Sequence, residues 1–241
     1  KVASYMVDFI QSIEKRFPNK RQIILTGGKD SRMMFLIPKI HPENWYSFCS
    51  QPDLYYVKEW FSKNNLPMPI MFEHNGFYDE DEALFKKKVL ATDASVELRH
   101  ARWVKAQIEI AEKFNNEVIF WIGDTGFTVN VNVFCRDPQK RDYFDHLTGI
   151  SSLYHGTKNQ LIKNLTGCPR LSPYHDPKLW HDIIQHFDYA MIDRDYREEL
   201  ANLLAGKTIV WEKPYQNIEW WQYPFEYDTE KIYTESLLNY V

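Results

Sequence analysis

Four short apolar runs limit what this chain can fold into. Gln22–Leu25, Asn44–Cys49, Pro69–Phe72 and Val118–Ile122 are each strand-sized and carry apolar residues at neighbouring positions rather than only at alternate ones. Such strands present both faces to a core, as in parallel sheets covered by helices on each side. The segments between them have helical spacing. Ala3–Phe17 carries Tyr5, Met6, Phe9, Ile10 and Ile13 on one stripe and is stopped by Pro18 and Asn19. Helices are expected from Ser31 to about Ile37, over Asp53–Asn64, and over Thr92–Phe114 with Asp93 as a cap, while the acidic stretch Asp79–Glu82 reads as a solvated loop. Strands alternating with helices imply an α/β fold with a parallel sheet and helices on both faces.

After Gly126 the pattern changes. Residues up to about Thr157 are aromatic, polar and irregular. Helices are then expected near Lys158–Leu165, Pro177–Phe187 and Arg194–Ala205, with a last short one from about Thr229. The expected organisation is one domain over 1–241, with an α/β core at 1–128 followed by a mostly helical part at 129–241. A chain of 241 residues, 44% hydrophobic, suffices for one sizeable core.

Charge and cysteine content exclude several classes. Lys and Arg total 29 against 33 Asp and Glu, a net charge of −4, which does not suit a duplex-DNA binder. No run of ~18 apolar residues is present to span a membrane, and the opening residues carry no signal-peptide core. Cys49, Cys135 and Cys168 are scattered, without a CxxC pair, which fits a cytoplasmic protein and signals neither a zinc knuckle nor a redox couple. The 8 Trp, 15 Tyr and 15 Phe are read first as packing material rather than a stacking surface.

The chemistry-bearing stretch is Thr26-Gly27-Gly28-Lys29-Asp30-Ser31, between the first strand and the second helix. A Walker loop would need glycine where Ile23 stands and Ser or Thr where Asp30 stands, and no G-x-G-x-x-G is present. What remains is still an anion site. Two adjacent glycines let backbone amides approach a ligand closely. Thr26 and Ser31 bring hydroxyls, and the helix start brings unsatisfied N–H groups and a positive dipole end.

This stretch resembles the pyrophosphate loop Ser-Gly-Gly-x-Asp-Ser of the N-type ATP pyrophosphatases (the PP-loop superfamily), with Thr26 keeping the first hydroxyl. Later segments resemble the synthetase domain of asparagine synthetases within that superfamily. "SFCSQPDLYYVKEWFSKNNLPMPIMFEHN" is similar to its second strand, helix and third strand, with Asp53 as the acidic residue opening the helix. "VIFWIGDTGFT" is similar to its Gly-Asp-Gly-x-Asp-Glu loop at Gly123 and Asp124, although Phe127 and Thr128 replace the acidic pair. "GCPRLSPYHDPKLW" is similar to its Pro-Phe-Leu-Asp segment at Pro173, Tyr174 and Asp176, with Pro169 and Leu171 near positions where relatives carry Glu and Arg. "YREELANLLAGKTIVWEKPYQN" is similar to its last helix and Trp-Arg-x-Lys turn, at Trp211 and Lys213.

The resemblance implies a Rossmann-like, adenine nucleotide alpha hydrolase-like sheet. It also implies an enzyme that splits ATP into AMP and pyrophosphate, passes AMP to an oxygen, with that of a carboxylate as the first expectation, and lets an amine or ammonia displace it. ATP and Mg2+ are the expected cofactors. Thr26, Gly27, Gly28, Lys29, Asp30, Ser31, Asp53, Gly123 and Asp124 would bind the nucleotide and pyrophosphate, Asp30 and Asp124 the magnesium. Lys213 would stabilise charge as the amine attacks, making Lys213 and Asp30 the implied catalytic pair. Plainer roles stand beside these: helix caps for Asp30 and Asp53, a turn for Asp124, solvent for Lys29 and Lys213. No Cys near residue 1 offers the family's glutaminase nucleophile, so a small-molecule carboxylate and an amine or free ammonia, or a separate ammonia-supplying protein, are the expected partners. The acceptor side is unlike that of asparagine synthetases, so asparagine is not the expected product. Two other readings remain: a degenerate nucleotide-binding regulator, given Phe127 and Thr128, and a nucleic-acid base modifier touching phosphate through Arg136, Lys140 and Arg141.

Overall fold

A computed structural model describes residues 2–50, 53–74, 84, 87, 104–123, 159–175 and 196–211. The fold is α/β and Rossmann-like: a five-stranded, wholly parallel sheet with helices packed on it. In chain order the described elements are α1 (Val2–Arg16), β1 (Arg21–Leu25), α2 (Lys29–Met33), β2 (Trp45–Ser50), α3 (Asp53–Lys63), β3 (Ile70–His74), α4 (Val104–Lys113), β4 (Val118–Ile122), β5 (Arg170–Leu171) and α5 (Tyr196–Ala205). Residues 159–166 are also helical. The strand order is β3-β2-β1-β4-β5.

That order puts a topological switch point beside β1. From β1 the chain steps outward to β2 and β3, then returns to the other flank of β1 as β4. Connections leaving β1 and β4 therefore diverge at their carboxyl ends, where α/β folds of this kind bind ligands.

Neighbouring residues on the central strands feed two separate cores. Ile24 of β1 and Ile119 and Trp121 of β4 meet Met6 and Ile10 of α1, Leu54, Val57, Trp60 and Phe61 of α3, and Leu200 and Ala201 of α5. Ile23, Val118 and Phe120 point the other way, to Val104, Ala106, Ile110 and Ala111 of α4 and to Leu161 and Ile162. On the first face, burying the ten named side chains larger than alanine stabilises the fold by on the order of 15–30 kcal/mol before entropy is counted. Polar residues within the sheet are paired: the Trp121 indole donates to Gln22 Oε1 at 2.7 Å, and Ser47 donates to the Thr26 hydroxyl at 2.8 Å.

Helices end as their sequences dictate. Asn65, Asn115, Asn116, Gly167 and Gly206 take left-handed backbone immediately after helical segments, the usual way to close a helix with residues that tolerate positive φ.

The structure departs from the sequence expectations in three places. The helix after the glycine loop starts at Lys29, earlier than expected, and tightens to a 3-10 turn over Met34–Leu36 as it nears Pro38. A fifth strand, unanticipated, pairs Arg170 and Leu171 with Phe120 and Trp121. The third strand is not covered on both faces, since Ile70 is 63% exposed. The expected features at Asp79–Glu82, Thr92–Trp103, Gly126–Thr157, Pro177–Phe187 and from Thr229 onward lie outside the described residues. Among the described residues no helix is long and apolar enough to cross a membrane.

One buried charge cluster ties α1 to the sheet. Glu14 continues the Met6–Ile10 stripe and is itself buried. Its carboxylate accepts from the Ile40 and His41 amides, each at 3.1 Å, and from the Trp45 indole at 2.8 Å, which compensates its removal from water. The Lys39 ammonium donates to the Met34 carbonyl and stands 4.3 Å from the centre of the Trp45 ring. Burial pushes the Lys39 ammonium down to about 7 from an ordinary 10.5, with Glu14 opposing the shift. The unfolded chain thus holds one more proton between pH 7 and 10.5, so the stability contributed here rises with pH across that window. Replacing Lys39 by Met removes this dependence. In urea titrations the variant's stability relative to wild type should fall by up to about 1.4 kcal/mol per pH unit inside the window and be flat below it. A difference independent of pH would show the ammonium to be ordinarily solvated.

Candidate functional site

The glycine loop leaves β1 at its carboxyl end and turns directly into α2. The Thr26 amide still pairs with β2, donating to the Phe48 carbonyl at 2.8 Å. The Thr26 hydroxyl turns inward, donating to the Ile24 carbonyl at 3.0 Å and accepting from Ser47 Oγ at 2.8 Å. Ser31 Oγ accepts from the Gly27 amide at 3.1 Å and donates to the Gly28 carbonyl at 3.0 Å. Both hydroxyls thus build the turn, and in this geometry their hydrogens point to carbonyls within it. The Gly28 carbonyl also receives the Arg32 amide and Arg32 Nε, each at 3.3 Å. A trans peptide sets N–H opposite to C=O, so fixing this carbonyl toward the helix aims the Lys29 amide outward, beyond the helix start.

The glycines here differ in what surrounds them. A Cβ on Gly27 would lie 3.0 Å from Asp53 Oδ2, so the carboxylate that opens α3 rests against the loop backbone. A Cβ on Gly123 would lie 2.4 Å from the Ser31 nitrogen and 2.8 Å from its Cα. The segment after β4 therefore touches the first turn of α2, and the loops after β1 and β4 meet. Gly28 is different: a Cβ there would meet no atom of the described residues within 4 Å, and its φ of −66° suits any residue.

Charged groups ring the loop. Lys29 Nζ lies 3.3 Å from Glu198 Oε1 of α5 and 5.4 Å from the centre of the Trp211 ring. Asp30 is 16% exposed at its side chain, with Oδ2 3.9 Å from Arg197 Nη1. The Asp30 carbonyl accepts the Tyr174 hydroxyl at 2.9 Å. Burial, and secondarily Asp30, raises that phenol well above its ordinary range, against the pull of Arg197, so Tyr174 stays a neutral donor. Arg32 is buried beneath the loop, its guanidinium 5.6 Å from the Trp60 ring centre and 5.2 Å from that of Trp211. Those two indoles stack at 5.3 Å. Nearby, burial and then Asp53 push the Cys49 thiol up to about 12, which leaves it without nucleophilic character.

Two asparagines hold the segment that leads to Trp211: Asn202 Oδ1 accepts the Ile209 amide at 2.6 Å, and Asn64 bonds Val210 from both sides of its carboxamide. Asn64 Nδ2 donates to the Val210 carbonyl at 2.9 Å, and the Val210 amide donates to Asn64 Oδ1 at 2.7 Å. Trp211 follows directly and stacks on Trp60.

The structure therefore brings together Thr26, Gly27, Gly28, Lys29, Asp30, Ser31, Asp53 and Gly123. Asp124 and Lys213 lie outside the described residues, although their neighbours Gly123 and Trp211 both touch the loop region. Asp53 opens α3 and also borders the loop, so capping and site roles are compatible at that residue. Sequence reasoning missed Arg32, Arg197 and Glu198 and gave Tyr174 no role. Arg32 was within reach of inference, being a cation in the turn after the glycines. Arg197 and Glu198 carry no local signal, since their loop partners are distant in sequence.

Among the described residues no three His, Cys, Asp or Glu side chains gather as a metal cage. Magnesium does not require one. It commonly takes one or two carboxylates and completes its shell with phosphate oxygens and water, and the inward-held Asp30 carboxylate at the loop fits that pattern. In sequence, the chain matches no model of a known protein family and no curated protein.

Proposed function

We propose that this chain is an ATP-dependent, AMP-forming carbon–nitrogen ligase with its polyphosphate site at the Thr26–Ser31 loop. The observation that carries the reading is Gly28. Neither backbone conformation nor any neighbouring atom of the described residues requires glycine there, yet the position sits at the helix start, at the switch point of the sheet, beside a lysine and an aspartate. A site for close approach of an anion to backbone accounts for that choice.

The reaction follows from the groups at hand. An acceptor oxygen attacks the α-phosphorus of ATP, the bond to the β-phosphate oxygen breaks, and pyrophosphate leaves with the added negative charge. The outward amide of Lys29 and its ammonium stabilise that charge. Asp30, with Asp124, would hold magnesium, which supplies further neutralisation of the phosphate oxygens. An amine then attacks the activated carbon, AMP departs with the acceptor oxygen, and Lys213 would stabilise the charge that develops. A small carboxylate and an amine or ammonia are the substrates this scheme requires.

Exchange of labelled pyrophosphate into ATP, dependent on an added acceptor, tests it. Gly28→Ala should leave stability unchanged, or raise it by about 0.4–1 kcal/mol through the unfolded chain, while slowing exchange at least about tenfold. Full exchange in a stable Gly28→Ala protein would remove the support for the site; nucleotide binding without exchange under any acceptor would favour a regulatory nucleotide binder instead.

A further inference from the structure

Both charged side chains of the glycine loop face the opposite charge on α5. Lys29 meets Glu198 at 3.3 Å, and Asp30 meets Arg197 at 3.9 Å. The two partners are consecutive residues in the first turn of α5, and the two loop residues are consecutive as well. The helix is fixed by its own apolar side, with Leu200 and Ala201 buried against the core, so the charged turn is held over the loop by packing. Glu198 is 56% exposed at its side chain, more than Lys29 or Arg197, so its place beside Lys29 is not forced by burial.

We propose that the Arg197–Glu198 step is a charge-exchange gate for polyphosphate at this loop. Glu198 competes with an incoming phosphate for the Lys29 ammonium. Arg197, neutralised by Asp30, becomes a phosphate-facing cation when Asp30 turns to a metal ion. The inference rests on the polyphosphate site proposed above and adds its regulation: one residue of α5 weakens anion binding and its neighbour strengthens it. A bound anion must outcompete a carboxylate at one cation, and a ligand facing such competition binds with reduced apparent affinity. An exposed ion pair is worth little in water, so the expected penalty is a few-fold rather than many orders of magnitude.

The test is calorimetric titration of magnesium-ATP and of tripolyphosphate into wild type, Glu198→Gln, Arg197→Gln and Glu117→Gln, each first checked for an unchanged melting temperature. Glu117 pairs with Lys20 at the opposite end of the sheet and serves as a control for general charge effects. Glu198→Gln should bind both anions about three- to fivefold more tightly, Arg197→Gln about threefold or more weakly, and Glu117→Gln like wild type. The Glu198→Gln gain should shrink as salt is raised, because screening weakens the same pair. Unchanged or weaker binding by Glu198→Gln, or wild-type binding by Arg197→Gln, overturns the gate while leaving the ligase reading intact. Tripolyphosphate binding that responds as expected, without any pyrophosphate exchange, supports the gate and sinks the ligase. A wild-type protein that binds neither anion overturns both.

Discussion

Gly123→Ala should lower the stability of the protein by about 3 kcal/mol or more and abolish pyrophosphate exchange with it. The added methyl would fall 2.4 Å from the Ser31 nitrogen, 2.8 Å from its Cα and 2.9 Å from the Asp30 carbonyl carbon, all backbone atoms that no rotamer change can move. Overpacking against movable side chains typically costs 1–3 kcal/mol, and a backbone clash belongs at or beyond the upper end. Relief requires separating the end of β4 from the start of α2, which is the contact that joins the two loops. Urea unfolding should show a lower midpoint with an unchanged slope. Gly27→Ala is expected to be milder, because its nearest obstacle is the Asp53 carboxylate at 3.0 Å, which can swing aside. With Gly28→Ala neutral for folding, the three glycines form a graded series. A Gly123→Ala protein as stable as wild type would mean that the two loops do not meet as described.

Asp30→Asn should leave the fold within about 1 kcal/mol of wild type and slow exchange by about 10²–10³-fold. The separation follows from what the side chain does. Its ion partner, Arg197, is 3.9 Å away and partly exposed, so the pair contributes little to folding. The loop's anchoring to Tyr174 goes through the Asp30 backbone carbonyl and survives the change. What is lost is a formal negative charge where magnesium would be held. Wild-type exchange rates in a folded Asp30→Asn protein would remove Asp30 from the catalytic scheme; a large drop in melting temperature would give it a structural role instead.

The sequence was most legible where local chemistry dictates the outcome. β4 runs from Val118 to Ile122 as its unbroken apolar stretch requires, and β1 to β3 lie within two residues of their apolar runs. The helices of Val2–Arg16 and Asp53–Lys63 follow their apolar spacing, and α5 ends at Ala205 before Gly206. Legibility fell where a partner decides. Arg170–Leu171 has no strand pattern and is extended because the edge of β4 accepts it, with the Phe120 amide also bonded to the Pro169 carbonyl. The chemistry of Thr26 and Ser31 was readable, but the inward direction of their hydroxyls was not, since Ser47 and the Gly28 carbonyl set it. Gly123 stood out through resemblance, yet its steric reason is a contact with Ser31 from a separate part of the chain.

The Asn64–Val210 pairing has a further consequence. A carboxamide offers a donor and an acceptor side by side, so a single side chain stands in for one rung of a β-ladder at Val210. Aspartate has nearly the same shape but, when ionised, only accepts; it would keep the Val210 amide and repel the carbonyl. The seating of Val210, and with it the place of Trp211 over Trp60, therefore depends on the nitrogen as well as the oxygen of one carboxamide far away in sequence.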